Sequence, residues 1–130
     1  MNENKLIEAA ISAMKRSYSP YSGFTVGAAL LGESGKIYLG ANIENSAYSV
    51  TVCAERVALF SAVMAGEGRI TELAVVGGRG GEITDFCPPC GVCRQALSEF
   101  CAPEVKIHFY NGKETKTLTL GELLPESFSL

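Results

Sequence analysis

The stretch "TDFCPPCGVCRQ", residues 84–95, sets Cys87, Cys90 and Cys93 at equal spacing, while Cys53 stands far upstream in "TVCAERV". Sulfurs that act together must be brought together, so a chain built around these thiols has to fold residue 53 against residue 90. The 130-residue sequence holds five cysteines, the fifth being Cys101. The amino terminus, "MNENKLIEAA", lacks a basic-then-apolar leader, so the expected location is the cytoplasm. In that reducing compartment an odd, clustered set of thiols points to metal or catalysis before disulfides.

The pattern around the cysteines reads as alternating helices and strands. Leu6, Ile7, Ala10, Ile11 and Met14 recur at helical spacing, which predicts an amphipathic helix from about Lys5 to Tyr18, stopped by "SPYSG". "FTVGAALL" and "KIYLGANI" predict a β-hairpin through "GESG". "CAERVALFSAVM", from Cys53 to about Met64, is apolar on nearly every side after Arg56 and predicts a buried helix ended by "AGEG". "ELAVVGG" is a short apolar strand, Gly91 to Cys101 a further helix, and "VKIHFY" a strand. Asn111-Gly112 signals a two-residue hairpin into "ETKTLTL", so these last strands must be antiparallel. "GELLP" closes the chain with a short helical turn. No repeat, low-complexity tract or linker interrupts this order. The expectation is one domain over residues 1–130, an α/β fold with a five-stranded mixed sheet sandwiched between helices.

Three uses of the thiols compete. A C-x-x-C redox pair leaves Cys53 and its neighbour Glu55 without a role. A closed structural zinc site takes four protein ligands, which Cys53, Cys87, Cys90 and Cys93 could supply. A catalytic zinc site takes three and leaves a position for water. Cys90 and Cys93 lie one turn apart at a helix start, and Cys53 opens another helix, where the helix dipole favours thiolate. Pro88 and Pro89 force extended backbone between Cys87 and Cys90, which carries the Cys87 sulfur away. The balance therefore favours three ligands with Cys87 a bystander, and Cys101 reads as an apolar filler. His108 is the sole histidine, which excludes a histidine-rich metal site and leaves His108 a structural role.

"CAE" at 53–55 with "PCGVC" at 89–93 resembles the zinc-dependent cytidine deaminases, whose wider superfamily carries an H-x-E…P-C-x-x-C signature. "FTVGAAL", "NIENSAYSVTVCAER", "PCGVCRQ" and "ELLP" extend the likeness in order along essentially the whole chain. The three-cysteine set and the length resemble the small homotetrameric branch. The resemblance implies hydrolytic deamination of cytidine and 2′-deoxycytidine to uridine and 2′-deoxyuridine, with release of ammonia, in pyrimidine salvage. It implies one Zn²⁺ per chain on Cys53, Cys90 and Cys93, and Glu55 as the general acid–base that moves protons between water, the ring N3 and the leaving amine. It also implies substrate contacts from Phe24 beside the base, Asn42 and Glu44 on the ribose, Tyr48 and Ala54 near the pocket, and Phe128 reaching across into a neighbouring subunit's site.

Two of these expectations have a physical basis of their own. Asn42 and Glu44 are i and i+2 in an extended segment, so both point to one face. Arg56 sits one turn beyond Cys53, where its guanidinium can return to the ligand sulfurs and offset the negative charge of three thiolates around a divalent ion.

Charge and hydropathy narrow the partners. A net charge of −3 offers no basic face for nucleic acid, and no apolar run is long enough to span a membrane. With 47% hydrophobic and 19% charged residues, the chain fits a soluble globular protein, and the resemblance implies a small nucleoside as its substrate. Blasticidin S deaminases share "CAE" and "PCGxCRQ", but the intact Asn42-x-Glu44 pair favours an ordinary nucleoside. Polynucleotide-editing relatives have parallel final strands, against the Asn-Gly hairpin here. A non-enzymatic zinc module would need Cys87 as a fourth ligand and offers nothing for Glu55 to do.

Overall fold

Asn2 caps the first helix: its side-chain oxygen accepts from the Lys5 N–H at 2.9 Å, and α1 runs Glu3–Met14. A computed structural model describes residues 2–130. After α1 come β1 (Phe24–Gly32), β2 (Ile37–Ala41), a 3-10 turn (Tyr48–Val50), α2 (Ala54–Met64), β3 (Ile70–Arg79), α3 (Gly91–Ser98), β4 (Lys106–Tyr110), β5 (Thr115–Thr119) and α4 (Leu120–Leu123). The order of element types is the one expected from the sequence.

The five strands form one sheet in the order β2-β1-β3-β4-β5. Only β3 and β4 run parallel; the other three pairings are antiparallel. A parallel neighbour needs a crossover, and α3 is carried in that connection. On one face α1 presses Leu6, Ile7, Ala10 and Met14 onto Ala29, Ala74 and Val76. On the other, Leu59 of α2, Leu97 of α3 and Leu120 of α4 share a core with Leu30, Leu73, Val75, Ile107 and Phe109. Each fully buried large side chain of this kind contributes roughly 1.5–3 kcal/mol through burial. The result is a three-layer α/β/α sandwich.

Two glycines set how closely the helices approach. A Cβ on Gly27 would stand 2.0 Å from the Ala10 carbonyl oxygen of α1, and one on Gly40 would stand 2.3 Å from the Ala54 carbonyl oxygen of α2. Gly40 thus draws the first turn of α2 directly onto β2, which locates the Cys53–Glu55 segment over the sheet.

Three local expectations are corrected. α1 ends at Met14 rather than near Tyr18. Arg16 and Ser17 make i→i−3 bonds, and the Tyr18 N–H and carbonyl are taken by Asn42 and Glu44 of the strand extension, so a tertiary pairing outcompetes the helix. The β4–β5 connection is a four-residue loop, Asn111–Glu114, because Tyr110 pairs with Thr115. Asn111 Oδ1 accepts from the Lys113 and Glu114 N–H groups, and Gly112 takes φ 96, so the Asn-Gly signal acts through an Asx turn. Finally, α2 is not buried on all sides. Ala54, Glu55, Ala58, Leu59 and Ala62 are buried, whereas Phe60, Val63 and Met64 are exposed. A helix on a sheet covers only one face, and among the described residues no helix or strand covers the outer one.

Candidate active site

The site is assembled from the first residues of two helices. Cys53 and Cys90 are the N-cap residues of α2 and α3, with extended backbone (φ −71, ψ 155 and φ −69, ψ 168) and no side-chain capping bond. Their sulfurs are therefore free to turn toward a common point, which Cys93 reaches from within the first turn of α3. The Sγ atoms of Cys53 and Cys90 are 3.8 Å apart and those of Cys90 and Cys93 3.6 Å. All three lie within 4.8 Å of one another. A tetrahedral zinc ion at about 2.3 Å from each sulfur holds its ligands about 3.8 Å apart, so the three thiols fit that ion. They can hold one Zn²⁺. The packing of α2 against α3 on one face of the sheet brings residue 53 to residue 90.

Electrostatics within the cluster agree with a thiolate site. The Cys53 thiol is pulled down to about 5, chiefly by its hydrogen bond from Cys93, against burial, with Arg56 and Cys90 adding to the effect. The Cys93 thiol is pushed up by the same hydrogen bond and by burial. One proton thus leaves the pair easily and the second is held until a cation replaces it. Arg56 Nη2 donates to the Cys53 sulfur at 3.5 Å, and its buried Nε has no partner among the described residues.

Cys87 does not join them. Its sulfur packs where a Cβ on Gly77 would be, beside the Phe24 ring, and burial pushes the thiol up to about 12. Cys101 is 4% exposed within the main core. Arg94 holds the turn that carries Cys90: its Nε donates to the Pro89 carbonyl at 2.8 Å, and its Nη1 reaches the Leu123 carbonyl of α4 at 2.8 Å.

Glu55 follows in the first turn of α2 and is 3% exposed. Burial pushes its carboxyl up to about 7, with the nearby Cys53 charge acting in the same direction. A carboxyl balanced in this way can take a proton and return it near neutral pH. Ala54, the residue between, is fully buried against β2.

Asn42 and Glu44 lie just beyond β2, buried on either side of the exposed Ile43, as extended backbone requires. Asn42 Oδ1 accepts from Ser17 Oγ at 2.5 Å and from the Val26 N–H at 2.9 Å, and its Nδ2 donates to the Phe24 carbonyl at 2.8 Å. One Asn42 N–H is left over. Glu44 Oε1 accepts from the Tyr21 and Ser22 N–H groups at 3.0 and 3.2 Å, and Oε2 from Ser22 Oγ at 2.5 Å. The Ser22 hydroxyl beside it holds the Glu44 carboxyl below its ordinary value of 4.5. Asn42 therefore offers a donor and Glu44 an acceptor, the pair of functions that a hydroxyl group satisfies. Phe24, the first residue of β1, is half-buried and tied to Asn42 through its carbonyl.

The remaining expected residues are Tyr48 and Phe128. Tyr48 is 74% exposed in the 3-10 turn, and Phe128 is 69% exposed. Phe128 lines a cleft with Ser98, Cys101 and Leu124, at the far end of α3 from Cys90. His108 lies on the α1 face, where Nε2 meets Glu72 Oε2 at 2.5 Å and Nδ1 meets Thr117 Oγ1 at 2.7 Å. Its role is structural.

Sequence patterns gave Ser17 and Ser22 no part in the site: Ser17 fell inside the first predicted helix and Ser22 in the stop that follows it. Their partners are 25 and 22 residues away, so no local pattern could assign them.

Comparison with known proteins follows the same lines. The family model described as the cytidine and deoxycytidylate deaminase zinc-binding region matches residues 1–109. A cytidine deaminase of Sporosarcina psychrophila is 47% identical over 130 residues, covering 99% of this chain and 93% of the relative. One from Halalkalibacterium halodurans is 42% identical, covering 99% and 96%. The crystal structure of a cytidine deaminase from Burkholderia pseudomallei superimposes with a TM-score of 0.90 at 42% identity, covering 98% of this chain and 100% of the other.

Proposed function

This chain belongs to the cytidine and deoxycytidylate deaminase family, and on that premise we propose that it hydrolyses cytidine and 2′-deoxycytidine to uridine and 2′-deoxyuridine, releasing ammonia. The observation that carries the reading is the buried Glu55 carboxyl, two residues from Cys53 in a three-thiol cluster with tetrahedral spacing. Cys53, Cys90 and Cys93 would hold a zinc ion, which would supply an acidified water as nucleophile.

The chain's own groups do the rest. Glu55 takes a proton from the attacking water and delivers it to the ring N3 as oxygen bonds to C4. It takes the second water proton and passes it to the amino group, which departs from C4 as ammonia. One carboxyl serves both as base and as acid, which its raised proton affinity supports. Phe24 packs beside the base. Asn42 donates to, and Glu44 accepts from, a ribose hydroxyl, chiefly the 3′ one. Arg56 offsets the charge of the thiolates. Ala54 and Tyr48 border the pocket.

The uncovered apolar face of α2, with Phe60, Val63 and Met64, supports assembly as a homotetramer, as do the exposed Tyr48 and Phe128. In that assembly Phe128 enters a neighbour's site and stacks on the base. Among the described residues no helix is long and apolar enough to cross a membrane. The reading is of a single deaminase domain, residues 1–130, that acts in the cytoplasm in pyrimidine salvage.

The test is Glu55→Gln, assayed spectrophotometrically on cytidine and 2′-deoxycytidine, with cytosine and blasticidin S as competing substrates. The variant should fold and hold one zinc, yet lose at least about a hundredfold in turnover. Near-normal turnover would return Glu55 to a helix-dipole role. Activity confined to blasticidin S would replace the substrate assignment.

A further inference from the structure

The loop "SYSPYSG", residues 17–23, wraps the end of β2 and places one serine hydroxyl on each of the two polar groups assigned to the sugar. Ser17 Oγ donates to Asn42 Oδ1, and Ser22 Oγ donates to Glu44 Oε2. The second contact has the wider reach, because Ser22 Oγ also accepts from the Phe24 N–H at 2.9 Å. The Phe24 backbone is then held at both ends, its N–H by Ser22 and its carbonyl by Asn42 Nδ2. Asn42, Glu44, Phe24 and Ser22 make one connected hydrogen-bonded unit.

We propose that Ser22 is the positioning residue for sugar recognition: its hydroxyl fixes the rotation of the Glu44 carboxylate so that Oε2 keeps one lone pair aimed at the nucleoside. The inference rests on Glu44 contacting the sugar. Oε1 is occupied by two backbone N–H groups, from Tyr21 and Ser22, so the protein leaves Oε2 as the oxygen with spare accepting capacity. Only Ser22 Oγ restrains that oxygen among the described residues. Glu44 is 7% exposed, so a carboxylate deprived of this donor has little water to take its place and reorients within its pocket. The hydroxyl does not touch the reacting atoms. Its loss weakens binding of the sugar and leaves the proton transfers at Glu55 as they were.

The experiment is a double-mutant cycle on the zinc-loaded enzyme with cytidine as substrate. S22A and S22C, the second filling the site with a poor donor, should each raise KM about tenfold with kcat within about twofold, the size expected for losing a hydrogen bond to a charged group. S22T, which keeps the hydroxyl, should restore KM. In an E44Q background S22A should add less than about twofold, because the carboxylate it orients is already gone. If E44Q raises KM while S22A and S22C leave it unchanged, the Ser22 assignment is overturned and the sugar reading stands. Full additivity of S22A and E44Q, or a fall in kcat without a rise in KM, overturns it as well. An unchanged KM in E44Q removes the sugar reading itself, and the role of Ser22 with it.

Discussion

Arg56 Nη2 stands 3.5 Å from the Cys53 sulfur, three residues back along the chain at the cap of the same helix. Three thiolates around a divalent cation leave one net negative charge, and Arg56 is the cation placed to offset it. The sulfurs in turn raise the guanidinium's own proton affinity, chiefly through the Cys53 contact. Arg56→Gln should fold but lose about 10–100-fold in zinc affinity, measured by competition with a chelating dye, or a similar factor in turnover. Unchanged values of both would mean that the helix N-termini alone stabilise the thiolates.

Cys87 and Cys90 are separated by two prolines and differ in what surrounds them. Cys87 packs on Gly77 and Phe24, while the Cys90 sulfur is 3.8 Å from that of Cys53 and 3.6 Å from that of Cys93. Cys87→Ser should retain one zinc per chain, and Cys90→Ser should lose it, by metal analysis after gel filtration. Zinc loss in the Cys87 variant would require a four-thiolate site.

Phe128 lines a cleft at the opposite end of α3 from Cys90, away from the N-terminal turn that carries Cys90 and Cys93. Deleting residues 126–130 should raise KM for cytidine by several-fold, consistent with losing a stacked aromatic contact of about 0.5–1.5 kcal/mol. Sedimentation velocity on the intact chain should show a tetramer. A fully active monomer would exclude a shared site.

Glu67 ties the β1–β2 turn to the end of α2. Its carboxylate accepts from the Ser34 N–H, Ser34 Oγ and the Tyr38 hydroxyl at 2.9, 2.6 and 2.8 Å. These bonds, led by the Ser34 hydroxyl, hold its carboxyl below the ordinary 4.5. Because the folded-state value is the lower one, the stabilisation is complete above the unfolded value and is lost as pH falls through the folded one. The melting temperature should therefore decline below about pH 4.5. Glu67→Gln should melt lower near neutrality and show a shallower acid slope. Parallel melting curves for the two proteins across this range would remove Glu67 from the acid response.

What the sequence determined by itself was whatever a few neighbouring residues can encode. Period-2 and period-3.6 apolar spacing marked the strands and helices. The helix-start positions of Cys53 and Cys90, the one-turn offset of Cys93 and the prolines after Cys87 separated the three clustered thiols from the fourth. The i, i+2 alternation set Asn42 and Glu44 on one face. Tertiary structure decided the rest, because those properties depend on groups distant along the chain. α1 stops at Met14 because Asn42 and Glu44 take the backbone groups of Tyr18. Glu55 reaches a proton affinity near neutrality because the sheet and the helix around it exclude water. Ser22 became part of the site because folding carried its hydroxyl across 22 residues to Glu44, a distance over which no sequence periodicity operates.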